Sequence, residues 1–131
     1  FNIMLPEEVV VSNSFDGQPI KKKISEIEDN EIILDQVISE DIKQFIDSSN
    51  TIIWNGPLGV FENKNFSEGT EELSKLISMS NAYTLAGGGE TLSAINKFIN
   101  KDDISYCSTA GGAFLEFIEG KELPSISALS D

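Results

Sequence analysis

At 131 residues with 40% hydrophobic side chains, the chain is long enough to bury one core and lies within the size range of a single compact domain. With 9 basic against 22 acidic residues its formal net charge is −13, which excludes a basic stripe for DNA or RNA; any phosphate it meets has to be gripped locally by backbone amides. The absence of histidine and the single cysteine, Cys107, remove the commonest metal ligand and general base and rule out an internal disulfide, while no apolar run spans a bilayer and no signal-like segment is visible, so a soluble cytoplasmic protein is expected.

The chain opens without an initiator Met on the apolar run Phe1-Asn2-Ile3-Met4-Leu5, which predicts a piece of a longer protein. Its first third reads as short strands and turns: Ile3 to Leu5, then Val9-Val10-Val11, then the turn signal Ser14 to Pro19. Lys21-Lys22-Lys23 is followed by Glu26, Glu28, Asp29 and Glu31 and reads as a solvated face. From Ile32 onward short apolar runs alternate with helical periodicity, the pattern of βα units around a parallel sheet. Ile32 to Leu34 is a short strand. Ser39 to Ser49 is a helix capped by Ser39, with Ile42, Phe45 and Ile46 on one face. Thr51 to Trp54 is a buried strand broken by Asn55-Gly56-Pro57.

A second unit has a helix from Phe66 to Ser80 and a strand from Ala82 to Ala86 that ends in Gly87-Gly88-Gly89. Leu92, Ile95 and Phe98 then recur at helical spacing between Thr91 and Ile99. The third unit runs from Ile104 to Cys107 through Ser108-Thr109-Ala110-Gly111-Gly112 into a helix from Ala113 to Ile118. In an open parallel sheet ligands bind outside the carboxyl ends of the strands, and the glycine clusters fall at those junctions. Glycine lets the backbone approach an anion closely, and the free amides of the next helix start favour a phosphate. No G-x-G-x-x-G with a ribose-binding acid about twenty residues on is present, which argues against a dinucleotide oxidoreductase.

Four blocks in register carry a resemblance to the phosphoglycerate kinase family: Trp54-Asn55-Gly56-Pro57-Leu58-Gly59-Val60-Phe61-Glu62, Phe66 to Thr70 as F-x-x-G-T, Ala86-Gly87-Gly88-Gly89-Glu90-Thr91, and Ile104 to Glu116. The run Glu119 to Pro124 is similar to that family's C-terminal region. The resemblance implies an α/β fold, a truncated three-layer Rossmann-like parallel sheet with helices on both faces, covering the C-terminal portion of the family's nucleotide-binding domain across residues 1–131. It also implies glycolytic chemistry: phosphoryl transfer between 1,3-bisphosphoglycerate and ADP to give ATP and 3-phosphoglycerate, with Mg²⁺ on the nucleotide.

By position, the resemblance puts Asn55 and Pro57 near the nucleotide and has Glu62 accept from its ribose hydroxyls. Gly88, Gly89 and Thr91 contact its phosphates, Thr91 also serving as a helix cap. Gly111 and Gly112 lie beside the transferring group. Glu90 stands where the family usually has an aspartate associated with Mg²⁺, and Ala110 where it usually has a third glycine. If Ala110 needed positive φ the site would be weakened; a negative φ would be tolerated. The family's upstream glycine-and-lysine loop and its triose-binding domain have no counterpart here. The chain alone is therefore expected to be inactive, with the triose met only through that domain. A non-catalytic nucleotide-binding or assembly module is the alternative reading. A parallel sheet left partly uncovered is expected to self-associate, whereas the full-length parent is expected to be a monomer.

Overall fold

The computed structural model describes residues 2–110 and 112–130. The triple valine becomes the middle strand of an antiparallel sheet: β1 (Glu8–Ser12) lies between β2 (Ile20–Lys23) and β3 (Ile32–Gln36), in the order β2-β1-β3. All three valines are buried. Ile32 to Leu34 thus does not join the parallel sheet: β3 pairs antiparallel with β1 instead. Ile3 to Leu5 is not a strand at all, and these side chains are exposed. Within the basic cluster Lys21 and Lys23 are exposed, whereas Lys22 pairs with Glu31 at 2.7 Å.

Helix α1 (Glu40–Ser48) begins where its cap predicts, the Ser39 hydroxyl oxygen accepting from the Ile42 amide at 3.3 Å. Its apolar stripe is only partly sheltered: Phe45 stays 54% exposed. The chain then enters a second sheet, formed by β4 (Thr51–Asn55), β5 (Tyr83–Gly87) and β6 (Tyr106–Ser108), all parallel and in the order β4-β5-β6. The crossovers are α2 (Glu68–Met79) and α3 (Gly89–Phe98); α4 (Gly112–Ile118) and a further helix α5 (Pro124–Ser130) follow β6. Alternating strands and amphipathic helices produce this pattern.

Register decides which side chains meet the helices. Trp54, Ala86 and Cys107 stand in one row across the parallel sheet. Trp54 and Ala86 are buried against Ile77 of α2 and Ala94 and Ile95 of α3, with Cys107 packed at the margin of that core. The next row out of phase, Ile53, Leu85 and Tyr106, points to the opposite face. There α4 lays the Phe114 ring against Gly87, so close that any Cβ at Gly87 would collide with it. Helices thus pack on both faces, but the second face is covered mainly at the carboxyl ends of the strands. The antiparallel sheet has its own small core of Val10, Leu34 and Phe66, with Val60 packed on it. Among the described residues no helix is long and apolar enough to cross a membrane.

Candidate functional site

Parallel pairing aligns the last residues of the three strands, Asn55, Gly87 and Ser108, in one row. The loops that leave this row are tied together by hydrogen bonds. The Gly56 amide donates to Thr91 Oγ1 at 2.7 Å, joining the turn after β4 to the first turn of α3. The Gly88 amide donates to the Ser108 carbonyl at 3.0 Å, joining the start of α3 to the end of β6. Trp54 folds back over its own turn, its indole N–H donating to the Gly56 carbonyl at 2.8 Å.

The helix cap differs from expectation. Gly88, not Thr91, occupies the N-cap of α3, with φ 97° and ψ 147°, a backbone conformation that L side chains rarely adopt. A Cβ there would stand 3.7 Å from Asn55 Oδ1 and 3.8 Å from Thr91 Oγ1, which measures how closely the Asn55 side chain, Gly88 and Thr91 converge. Thr91 is 1% exposed, so its hydroxyl sits beneath the rim as a strut accepting from Gly56. Gly89 and Glu90, the first residues of α3, are exposed, and nothing lies within 4 Å of where a Gly89 Cβ would be. The first amides of a helix lack intrahelical acceptors and carry its positive end, so this rim can receive an anion despite the net charge of the chain.

Gly112 opens α4 on the neighbouring rim with free space around it, while Gly111 lies outside the described residues. No described non-glycine residue has positive φ, Ala110 included, so the methyl group there is accommodated in ordinary backbone geometry. The Ala110 amide donates to Ser108 Oγ at 3.2 Å and its carbonyl accepts from Ala113 at 3.2 Å, which leads the chain directly into α4.

Pro57 and Glu62 belong to the long loop between β4 and α2. Pro57 is half-buried and lines, with Ile33, Leu34, Leu58 and Gly59, a groove of about 340 Å³ between the loop and β3. Glu62 is exposed and lies beyond the end of β4 rather than at it. The loop is fastened along its length: the Val60 amide donates to the Leu34 carbonyl at 2.8 Å, and Thr70 Oγ1 donates to the Leu58 carbonyl. This gives the F-x-x-G-T block a purpose that its sequence did not announce. Gly69, buried at the start of α2, donates its amide to Asp35 Oδ2 at 2.9 Å, and Thr70 holds the loop.

Asp35 and Lys97 are polar residues of this region that no sequence motif singles out. Asp35 is 2% exposed and accepts from both Gly69 and Gln36, and burial pushes its carboxyl above the ordinary value despite those two donors. Lys97, in the last turn of α3, donates to the Phe61 carbonyl at 2.9 Å, next to Glu62. Both act on residues more than thirty positions away, so no local motif could reveal them. Among the described residues no group of three or more His, Cys, Asp or Glu side chains is arranged to hold a metal. The lone exposed carboxylate of Glu90 fits an ion that brings phosphate and water ligands with it, as Mg²⁺ commonly does.

The family model described as phosphoglycerate kinase matches residues 1–121. The phosphoglycerate kinase of Francisella tularensis subsp. novicida (strain U112) is 51% identical over 134 residues, covering 99% of this chain and 34% of the relative. That of Blochmanniella floridana is 51% identical over 136 residues with the same coverages, 99% and 34%. Among solved structures, phosphoglycerate kinase from Coxiella burnetii superposes with a TM-score of 0.84 at 43% identity, covering 95% of this chain and 33% of that one. The Pyrococcus horikoshii OT3 phosphoglycerate kinase gives 0.78 at 30% identity, covering 95% and 32%. The chain thus spans about a third of the length of the curated relatives it matches.

Proposed function

Because the chain belongs to the phosphoglycerate kinase family, we propose that it is the C-terminal portion of such a kinase's nucleotide-binding domain and holds ADP or ATP at the carboxyl ends of β4, β5 and β6. The parent reaction is phosphoryl transfer between 1,3-bisphosphoglycerate and ADP, a cytoplasmic glycolytic step whose triose is met by a part of the protein beyond this chain. The observation that carries the reading is the joined rim: the Gly56–Thr91 and Gly88–Ser108 hydrogen bonds assemble three loops around the open start of α3.

In this reading the phosphates meet the exposed start of α3 at Gly89 and Glu90, with Gly88 and the buried Thr91 shaping the turn. Asn55 lies beside them, Pro57 and Glu62 receive the nucleoside, and Gly111 and Gly112 flank the transferring group. Glu90 would hold Mg²⁺ together with nucleotide phosphates; that ion supplies charge neutralisation of the phosphoryl oxygens when bound. The residues of the chain itself orient the nucleotide, and phosphoryl transfer depends chiefly on such positioning.

Calorimetric titration of MgADP into the purified chain tests this. Binding is expected, and Glu62→Ala is expected to weaken it by roughly tenfold or more, the worth of hydrogen bonds to a charged acceptor. Binding by the wild type that is indifferent to Glu62 would move the ribose elsewhere. Absence of binding would show that these loops do not form a nucleotide half-site by themselves.

A further inference from the structure

Helix α3 holds the loop from Gly56 to Glu62 at both ends. At the start of the loop, Gly56 donates to Thr91 Oγ1 at 2.7 Å in the first turn of α3. At its finish, Lys97 Nζ reaches from the last turn to the Phe61 carbonyl at 2.9 Å. The ammonium stands 5.9 Å from the centroid of the Phe61 ring and 5.4 Å from that of Phe98. Those rings meet edge to face, with centroids 6.4 Å apart, and Phe61 is 4% exposed. Lys97 therefore grips a fixed, buried residue whose next neighbour is Glu62.

We propose that Lys97 is a positioning residue for Glu62. By fastening the Phe61 carbonyl to α3, it sets the distance between the Glu62 carboxylate and the phosphate rim at the other end of the same helix. This rests on the nucleotide reading above. One helix then works as a gauge: Thr91 and Lys97 are six residues apart, about 9 Å along the axis at the usual rise, and both anchors move only if α3 moves. A lysine suits the task because its ammonium lies over the two rings while donating to the carbonyl. A cation in the last turn also complements the negative end of the helix, and that simpler role predicts an effect on stability alone.

The test is a calorimetric double-mutant cycle with Lys97→Met, Glu62→Ala and the double variant, titrated with MgADP and, separately, with magnesium pyrophosphate. Lys97→Met keeps the stem and removes the donor. It is expected to weaken MgADP about tenfold, to leave pyrophosphate binding unchanged, and to add nothing once Glu62 is alanine. Lys97→Arg is expected to restore most of the loss. If circular dichroism shows Lys97→Met unfolded, Lys97→Gln takes its place in the cycle. Equal losses for both ligands, losses additive with Glu62→Ala, or unchanged MgADP affinity would each overturn the proposal while leaving the nucleotide reading standing. A wild-type chain that binds no MgADP would remove both.

Discussion

Gly59 is held in the left-handed region at φ +56°, where its Cα faces the backbone of β3. A Cβ there would run into the Leu34 carbonyl oxygen and lie 2.8 Å from Asp35 Cα, atoms of a strand that cannot swing aside. Gly89 is the opposite case, with ordinary φ, a helical position and open space around it. Gly59→Ala is therefore expected to cost more than about 1–2 kcal/mol, the price of left-handed backbone alone, whereas Gly89→Ala should be neutral or stabilise by up to about 1 kcal/mol. Urea unfolding of the two variants checks this, and equal losses would contradict the placement of the loop against β3. The glycine cluster Gly87-Gly88-Gly89 was legible in the sequence because consecutive glycines before a helical period announce a special turn. Gly59 was not, because what demands it is a strand some twenty-five residues earlier, and non-local contact leaves no mark on local spacing.

At the scale of elements, Asp35 links β3 to the start of α2, and through α2 to the loop after β4 that Thr70 holds. Its folded-state pKa is raised above the ordinary value of 3.8, first by burial and also by Glu68, against the lowering effects of the Gly69 and Gln36 amides and of Lys21. A carboxyl raised in this way contributes stability that is fully present below its unfolded value and is lost as pH rises through the folded one. Asp35→Asn does not titrate. The stability of the wild type relative to Asp35→Asn is therefore expected to decline as pH is raised from about 3.8, measured by urea midpoints at a series of pH values. A difference that widened with pH would mean that the two amide donors outweigh burial. Helix and strand positions in the βα half were readable, since α1, α2, α3 and α4 lie within two residues or so of their predicted bounds. The antiparallel half was not, because β2 is Ile20 followed by three lysines and reads as a solvated face, and runs as short as β1 and β3 carry no information about which partner each will choose.

At the scale of the whole molecule, the two faces of the parallel sheet are unequally covered. Trp54 and Ala86 are sealed by α2 and α3, but on the other face Ile53 is 47%, Tyr83 55% and Tyr106 53% exposed, with Phe114 reaching only the Gly87 end. The sequence made Thr51 to Trp54 look like a buried strand because its residues are apolar; β4 is in fact an edge strand of the described sheet, and its Ile53 faces outward. An open strand edge beside an apolar face favours pairing with a second copy. The net charge of −13 opposes that encounter, and dissolved salt screens the repulsion while leaving apolar burial intact. Self-association should therefore rise with ionic strength, the reverse of an ion-paired interface. Sedimentation velocity at low and at high salt reads this directly: a larger species is expected at high salt, and Ile53→Lys is expected to return it to monomer. A wild-type monomer at both salt levels and at high concentration would show that the exposed face is stable in water, whereas dissociation on adding salt would place the interface on the charged surface instead.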